Sequence, residues 1–203
     1  FGVNAKDVIH YRAIDAAVIT KRKISKNSKK PAKKAKRKII LVRVEEEQAS
    51  YSSKKRPTIP IIKEIIKNFH NEEIVVMGRY SSQVKHLAQT FGNKIKILDK
   101  VVDGKTLLNN VDVFIGSGGT MTAESALLGI PTISYNAIPN IIETYLVRKK
   151  LVLRKTSPKQ ITVSIRKLLD SPNLEIKNRA KKMLNSMEDP FPILVKTMKS
   201  ILK

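Results

Sequence analysis

The stretch GSGGTMTAESALLGIPT, residues 116–132, gathers glycines at 116, 118 and 119, hydroxyl side chains at Ser117, Thr120 and Thr122, and one carboxylate, Glu124. It follows the apolar run DVFIG and precedes a helical pattern, so it reads as a strand-to-helix turn. Glycine lets the backbone bend sharply and approach a ligand with no side chain in the way. The amides of Gly118, Gly119 and Thr120 would then open the following helix, where unpaired N–H groups and the helix dipole favour a diphosphate. Glu124 lies one turn further in. A carboxylate there repels phosphate but accepts hydrogen bonds from a neighbouring ribose diol. Taken alone, the same glycines would also serve for close strand–helix packing.

Two familiar phosphate loops do not fit. DGKT, residues 103–106, has a Lys-Thr pair, but the glycine a P-loop needs five residues before Gly104 is Asp99. A G-x-G-x-x-G dinucleotide turn follows the first strand of its domain, whereas this turn follows the fourth. Arg79, at another strand end, offers a bidentate phosphate partner, or is an exposed arginine with no role. The run Glu45-Glu46-Glu47 has no second acidic cluster to complete a divalent site, so no metal is expected. His10, His70 and His86 are too far apart to form a ligand pair and read as surface or core residues. The absence of cysteine excludes disulfides, thiolate catalysis and Cys-ligated metal centres, and fits a cytoplasmic protein.

Positioning such a turn takes a scaffold, and the sequence supplies one from residue 39 on. Strand-like runs IILVRV, EIVVMG, IKIL, DVFIG, PTISY and LVLR alternate with helical patterns. The helices are PTIPIIKEIIKNF; SSQVKHLAQTF, with Val84, Leu87, Ala88 and Phe91 on one face; a short one near residues 106–110; one over residues 120–128; and NIIETYLVRK. Short strands separated by helices predict a parallel, doubly wound α/β sheet of Rossmann-like type, because parallel neighbours need crossover connections. The runs are nearly all apolar because helices cover both faces. Past residue 154 the pattern is a helical tail. In its last helix Leu194, Val195, Met198, Ile201 and Leu202 form an apolar stripe opposite Lys196, Lys199 and Lys203; packing back onto the domain is expected ahead of contact with a membrane surface.

The division expected is a remnant of an amino-terminal domain in residues 1–20, a basic linker or loop in 21–38, and the α/β domain in 39–203. The chain begins with Phe1 rather than Met and is read as a fragment. Its net charge is +23; removing the eleven basic residues of segment 21–38, which holds no acid, leaves +12 on the rest. That segment reads as solvated, with nucleic acid or anionic lipid as the sharper alternative partner. No apolar run approaches the roughly 20 residues that span a bilayer, so the chain is expected in the cytoplasm or at most peripheral to a membrane.

The turn and its flanks resemble a known family. SGGTMTAESALLGIPT is similar to the nucleotide-binding segment in the carboxyl-terminal Rossmann-like domain of GT-B glycosyltransferases, including the MurG-type N-acetylglucosaminyltransferases. It resembles more loosely the nonhydrolysing UDP-N-acetylglucosamine 2-epimerases. VVDGKTLLNNVDVFIGSGGTMTAESALLGIPTIS and IVVMGRYSSQ resemble, more closely, the largely archaeal domain-of-unknown-function family 354 (DUF354), regarded as GT-B-like. The resemblance implies that Ser117, Gly118, Gly119 and Thr120 hold the diphosphate of a nucleotide sugar, expected to be UDP-linked, and that Glu124 binds its ribose. Arg79 is the weaker phosphate candidate. Nucleotide sugar as substrate, with no further cofactor, is the implied chemistry. GT-B enzymes work in a cleft between two such domains, so the missing amino-terminal domain would supply the acceptor site and the base. Within the first 20 residues only Asp7, His10 and Asp15 are acid–base groups.

Overall fold

The computed structural model describes residues 4, 8–22, 37–47, 58–99, 103–135 and 140–202. Strands β1 (Ile39–Arg43), β2 (Glu73–Met77), β3 (Lys96–Leu98), β4 (Val113–Gly116), β5 (Thr132–Ser134) and β6 (Val152–Arg154) form one sheet in the order β3-β2-β1-β4-β5-β6. Every pairing is parallel. The expected doubly wound α/β fold is therefore the observed one. Helices α2 (Thr58–Asn68), α3 (Ser81–Phe91), α4 (Gly104–Leu108), α5 (Thr120–Leu127) and α6 (Ile141–Arg148) make the crossovers. The strand order reverses between β1 and β4. Connections on the two sides leave in opposite directions there, which opens a crevice at the carboxyl ends of those two strands.

Alternation along β1 explains the two layers of core. Ile40 and Val42 point to one face with Ile61, Ile62 and Ile65 of α2, while Leu41 points to the other with Phe114, Leu108 and Met121. Each such fully buried side chain contributes about 1.5–3 kcal/mol relative to leaving it in water. Helices α7 (Pro158–Asp170), α8 (Leu174–Ser186) and α9 (Pro190–Ile201) form the tail. Ile161 and Ile165 of α7 complete the α2 layer.

Several local expectations change. Residues 15–21, for which no helix is expected, form α1 (Asp15–Lys21); its Ala16 and Ala17 are fully buried in a cluster with Ala123, Ala126 and Ala180. Small side chains let α1 approach α5 closely, and α5 in turn packs on α8. Helix α4 begins at Gly104, earlier than the apolar spacing suggests, because the Asp103 carboxylate accepts from the Thr106 amide at 2.9 Å and from its hydroxyl at 2.8 Å. The DGKT sequence is thus a helix cap. On α3 the buried set is Gln83, Leu87 and Phe91, and Ala88 faces solvent. Finally, α9 does not pack its stripe back: no residue of the helix is buried, and Leu194 is 54% and Ile201 76% exposed. Most of segment 21–38, residues 23–36, lies outside the described residues.

Candidate nucleotide site at the strand crossover

All four residues of β4 are buried, and the strand ends where a side chain cannot be accommodated. A Cβ on Gly116 would lie 2.8 Å from the Phe114 ring and 2.8 Å from Thr122 Oγ1. Gly118 and Gly119 then take φ of +91° and +81°, in the left-handed region that disfavours any side chain. The Thr122 hydroxyl donates to the Gly118 carbonyl at 3.0 Å and fixes the turn. Gly119 occupies the N-cap position of α5 and brings no capping side chain, so the first-turn amides of the helix have no side-chain acceptor there. Gly119 and Thr120 are exposed, Ser117 is half-buried, and Gly118 is buried. The turn therefore offers backbone donors on an open face.

Two of the loops that follow strands, those after β1 and β2, are tied together beside this turn. The Arg79 guanidinium, after β2, reaches to 4.0 Å from where a Gly119 Cβ would stand. It is held by Glu46 Oε2 at 3.5 Å and by donation to the Val44 carbonyl at 3.4 Å. The buried Gln83 clamps the same two loops, accepting from the Arg79 amide at 2.8 Å and donating to the Glu45 carbonyl at 3.0 Å. Tyr80 donates its hydroxyl to Glu46, and that bond holds the phenol pKa above its usual value. Arg43, the last residue of β1, has a buried Nε with no hydrogen-bond partner. Burial, then the neighbouring Arg79, lowers its pKa, against the attraction of Glu124 and Glu46. Arg43, Glu46, Arg79, Tyr80 and Lys85 line an open cavity of about 660 Å³.

Glu124 projects from α5 toward the β1 side, with Oε2 3.6 Å from the position of a Cβ on Gly104. Half-burial pushes its carboxyl pKa up, Arg43 pulls it down, and Asp103 and Asp15 push it up again. Behind it the end of β1 is anchored by Tyr135, whose fully buried hydroxyl donates to the Arg43 carbonyl at 2.8 Å and lies 2.6 Å from the Thr58 hydroxyl. Burial raises the pKa of that phenol and of the adjacent Glu45. On the opposite side of the turn a smaller cavity of about 140 Å³ is bordered by Gly118, Gly119, Thr120, Asp15 and Glu143.

The structure sets the Arg79 guanidinium beside Gly119, with Gly118 and Thr120 on either side of it in the turn, Ser117 half-buried before them and Glu124 one turn further into α5. It adds Arg43, Gln83, Tyr80, Asp15 and Glu143, which the sequence reading does not single out as ligand contacts. Only Arg43 carries a usable local signal, a basic residue closing an apolar strand. His10, His70 and His86 are all exposed. Among the described residues no three His, Cys, Asp or Glu side chains converge as a metal site, and no helix is long and apolar enough to cross a membrane.

The six-stranded parallel sheet with its glycine turn at the strand crossover is a Rossmann-like fold that matches one domain of solved GT-B glycosyltransferases. The chain belongs to the family described as "Protein of unknown function (DUF354)", whose model matches residues 5–203. An uncharacterized protein of Methanocaldococcus jannaschii, MJ0665, is 30% identical over 158 residues, covering 76% of this chain and 42% of its own length. Among solved structures, the spinosyn rhamnosyltransferase SpnG complexed with thymidine diphosphate matches with a TM-score of 0.65 at 15% identity, over 83% of this chain and 47% of that one. UDP-GlcNAc 2-epimerase from Methanocaldococcus jannaschii matches with a TM-score of 0.53 at 17% identity, over 68% and 40%. Glycosyltransferase VinC in complex with DTDP gives 0.55 at 13% identity, over 81% and 41%. The chain spans less than half the length of each of these relatives.

Proposed function

We propose that this chain is the nucleotide-sugar-binding half of a GT-B-like glycosyltransferase. The observation that carries the reading is the convergence of the Gly118–Thr120 amides, two guanidiniums and the Glu124 carboxylate at the strand crossover. The amides and Arg79 take the diphosphate, and Glu124 accepts from the ribose hydroxyls. In transfer, the bond between the anomeric carbon and the diphosphate oxygen breaks as an acceptor oxygen bonds to that carbon and loses its proton to a base. Negative charge grows on the leaving diphosphate, and preorganised amides and guanidiniums stabilise it. Acceptor and base are assigned to the second domain of the full-length protein. The diphosphate ligands of SpnG and VinC support this class of ligand, and UDP is the nucleotide proposed. The cytoplasm, where such donors are available, is the proposed location. A sugar-nucleotide 2-epimerase would use the same half-site, and product analysis on the full-length protein separates the two.

Calorimetric titration with UDP and UDP-sugars tests the reading. Wild type binds, and Glu124→Ala weakens binding by about tenfold or more, the worth of hydrogen bonds to a charged group. Absence of binding to either protein sinks it.

A nonenzymatic module for an anionic membrane or nucleic acid is the second reading, favoured by the net charge of +23 and the eleven basic residues of segment 21–38. It requires binding to anionic vesicles or to nucleic acid that survives Glu124→Ala and disappears on deletion of residues 21–38. The reverse pattern excludes it.

A further inference from the structure

Helix α9 presents an apolar face that the domain does not use. Phe191, Leu194, Val195, Met198 and Ile201 recur at three- and four-residue steps, which sets them along one side of the helix. All five are exposed, Phe191 by 60% and Met198 by 53%. The helix is nonetheless fixed to the domain by another side. Pro190, Ile193 and Thr197 are half-buried and border an apolar pocket of about 360 Å³ with Ile9, Tyr11 and Val18. At the start of α9 the Asp189 carboxylate accepts from the Phe191 amide at 3.0 Å. Just before it, the Glu188 amide donates to the Arg12 carbonyl at 3.0 Å, and Lys21 Nζ donates to the Met187 carbonyl at 2.5 Å. The stripe is thus held outward on an anchored helix.

Charge decides what can cover such a face. Residues 190–203 contain no acid, and Lys196 and Lys199 are both exposed. Lys199 stands one turn beyond Val195, beside the stripe, and Lys196 one turn before Lys199. A second copy docked through the same face would set lysines against lysines with no carboxylate to answer them. Nucleic acid would answer the lysines but leave the stripe in water. An anionic bilayer takes both: its acyl boundary receives the stripe, and long lysine stems carry their charges to the headgroups.

We propose that α9 is a membrane-docking helix that lies in the surface of an anionic phospholipid bilayer with Phe191, Leu194, Met198 and Ile201 inserted. At twelve residues it is about 18 Å long, too short to span and enough to lie flat. Ile9 and Tyr11, exposed and lining the same pocket as Phe191 and Leu194, widen the apolar area. The inference stands apart from the nucleotide reading. It also differs from a contact through segment 21–38, which would adsorb the chain by charge without inserting a side chain.

The chain has no cysteine, so Met198→Cys and, as a reference on the exposed face of α2, Lys63→Cys each carry a single environment-sensitive fluorophore. The vesicles contain brominated acyl chains and are made of phosphatidylcholine and phosphatidylglycerol at about two to one, or of phosphatidylcholine alone. On the anionic vesicles the Met198→Cys label shifts to the blue and is quenched by the bromines, and the Lys63→Cys label is not. Leu194→Asn with Ile201→Asn weakens vesicle binding about tenfold or more, as the loss of two inserted side chains requires. Lys196→Gln with Lys199→Gln weakens it about tenfold. Urea denaturation of these variants matches wild type, because the altered side chains already stand in solvent. The proposal is overturned if the Met198→Cys label is not quenched, if both labels respond alike, or if Leu194→Asn with Ile201→Asn binds as wild type does. A dimer seen in sedimentation that those two substitutions dissolve, without quenching of the label, also overturns it and makes a second copy the occupant.

Discussion

Glu124 stands between a guanidinium and two other carboxylates, and burial is the largest influence on it. Its carboxyl therefore ionises above the ordinary 4.5 in the folded chain. Below that value both folded and unfolded chains hold the proton. As pH rises from there through the folded pKa, the unfolded chain has released it first, so stability falls across that window and the deficit is complete above it. Glu124→Gln should then be more stable than wild type near neutrality and indistinguishable at about pH 4, as read by urea denaturation. Nucleotide affinity should move the other way. The ionised carboxylate is the better acceptor for a ribose diol, so binding strengthens from acid to neutral pH in wild type and stays flat in Glu124→Gln. The placing of the glycines, Thr120 and Arg79 at the carboxyl ends of strands was legible because they sit within a few residues of the apolar runs that form β4 and β2. Gln83 and Tyr80 were not, because their partners lie on the loop after β1, 38 and 34 residues away.

At the scale of elements, one cap decides where α4 starts and thereby what stands beside Glu124. The Asp103 carboxylate accepts from the Thr106 amide and hydroxyl, and these bonds hold its pKa below the ordinary 3.8. That stabilisation is present above pH 3.8 and is lost as pH falls through the lower folded value. Asp103→Ala should cost about 1 kcal/mol in urea denaturation at neutral pH, with Asp103→Asn recovering most of it. A variant as stable as wild type would contradict the cap. The local signal for this cap is the Asp-x-x-Thr spacing, which shares its residues with the Lys-Thr pair of DGKT. Helix α1 was harder to see. Its buried alanines carry no strong periodicity, and only the proximity of Ala126 and Ala180 makes them core. The stripe of α9 was plain, but periodicity identifies an apolar face without saying what covers it.

For the whole molecule, the parallel fold was readable because every strand run is short, apolar and followed by a helix. The neighbour relation of β1 and β4 was not, since pairing across the sheet leaves no mark in local spacing. Yet that relation makes the site: it sets the end of β1, with Arg43, beside the turn after β4. The most direct measurement is an amide-resolved NMR titration with uridine, UMP and UDP. The account predicts that the largest shifts centre on Gly118, Gly119 and Thr120, appear with UDP and not with uridine, and extend to the Arg79 side chain. Shifts confined to scattered lysines, or the same for uridine as for UDP, would contradict it.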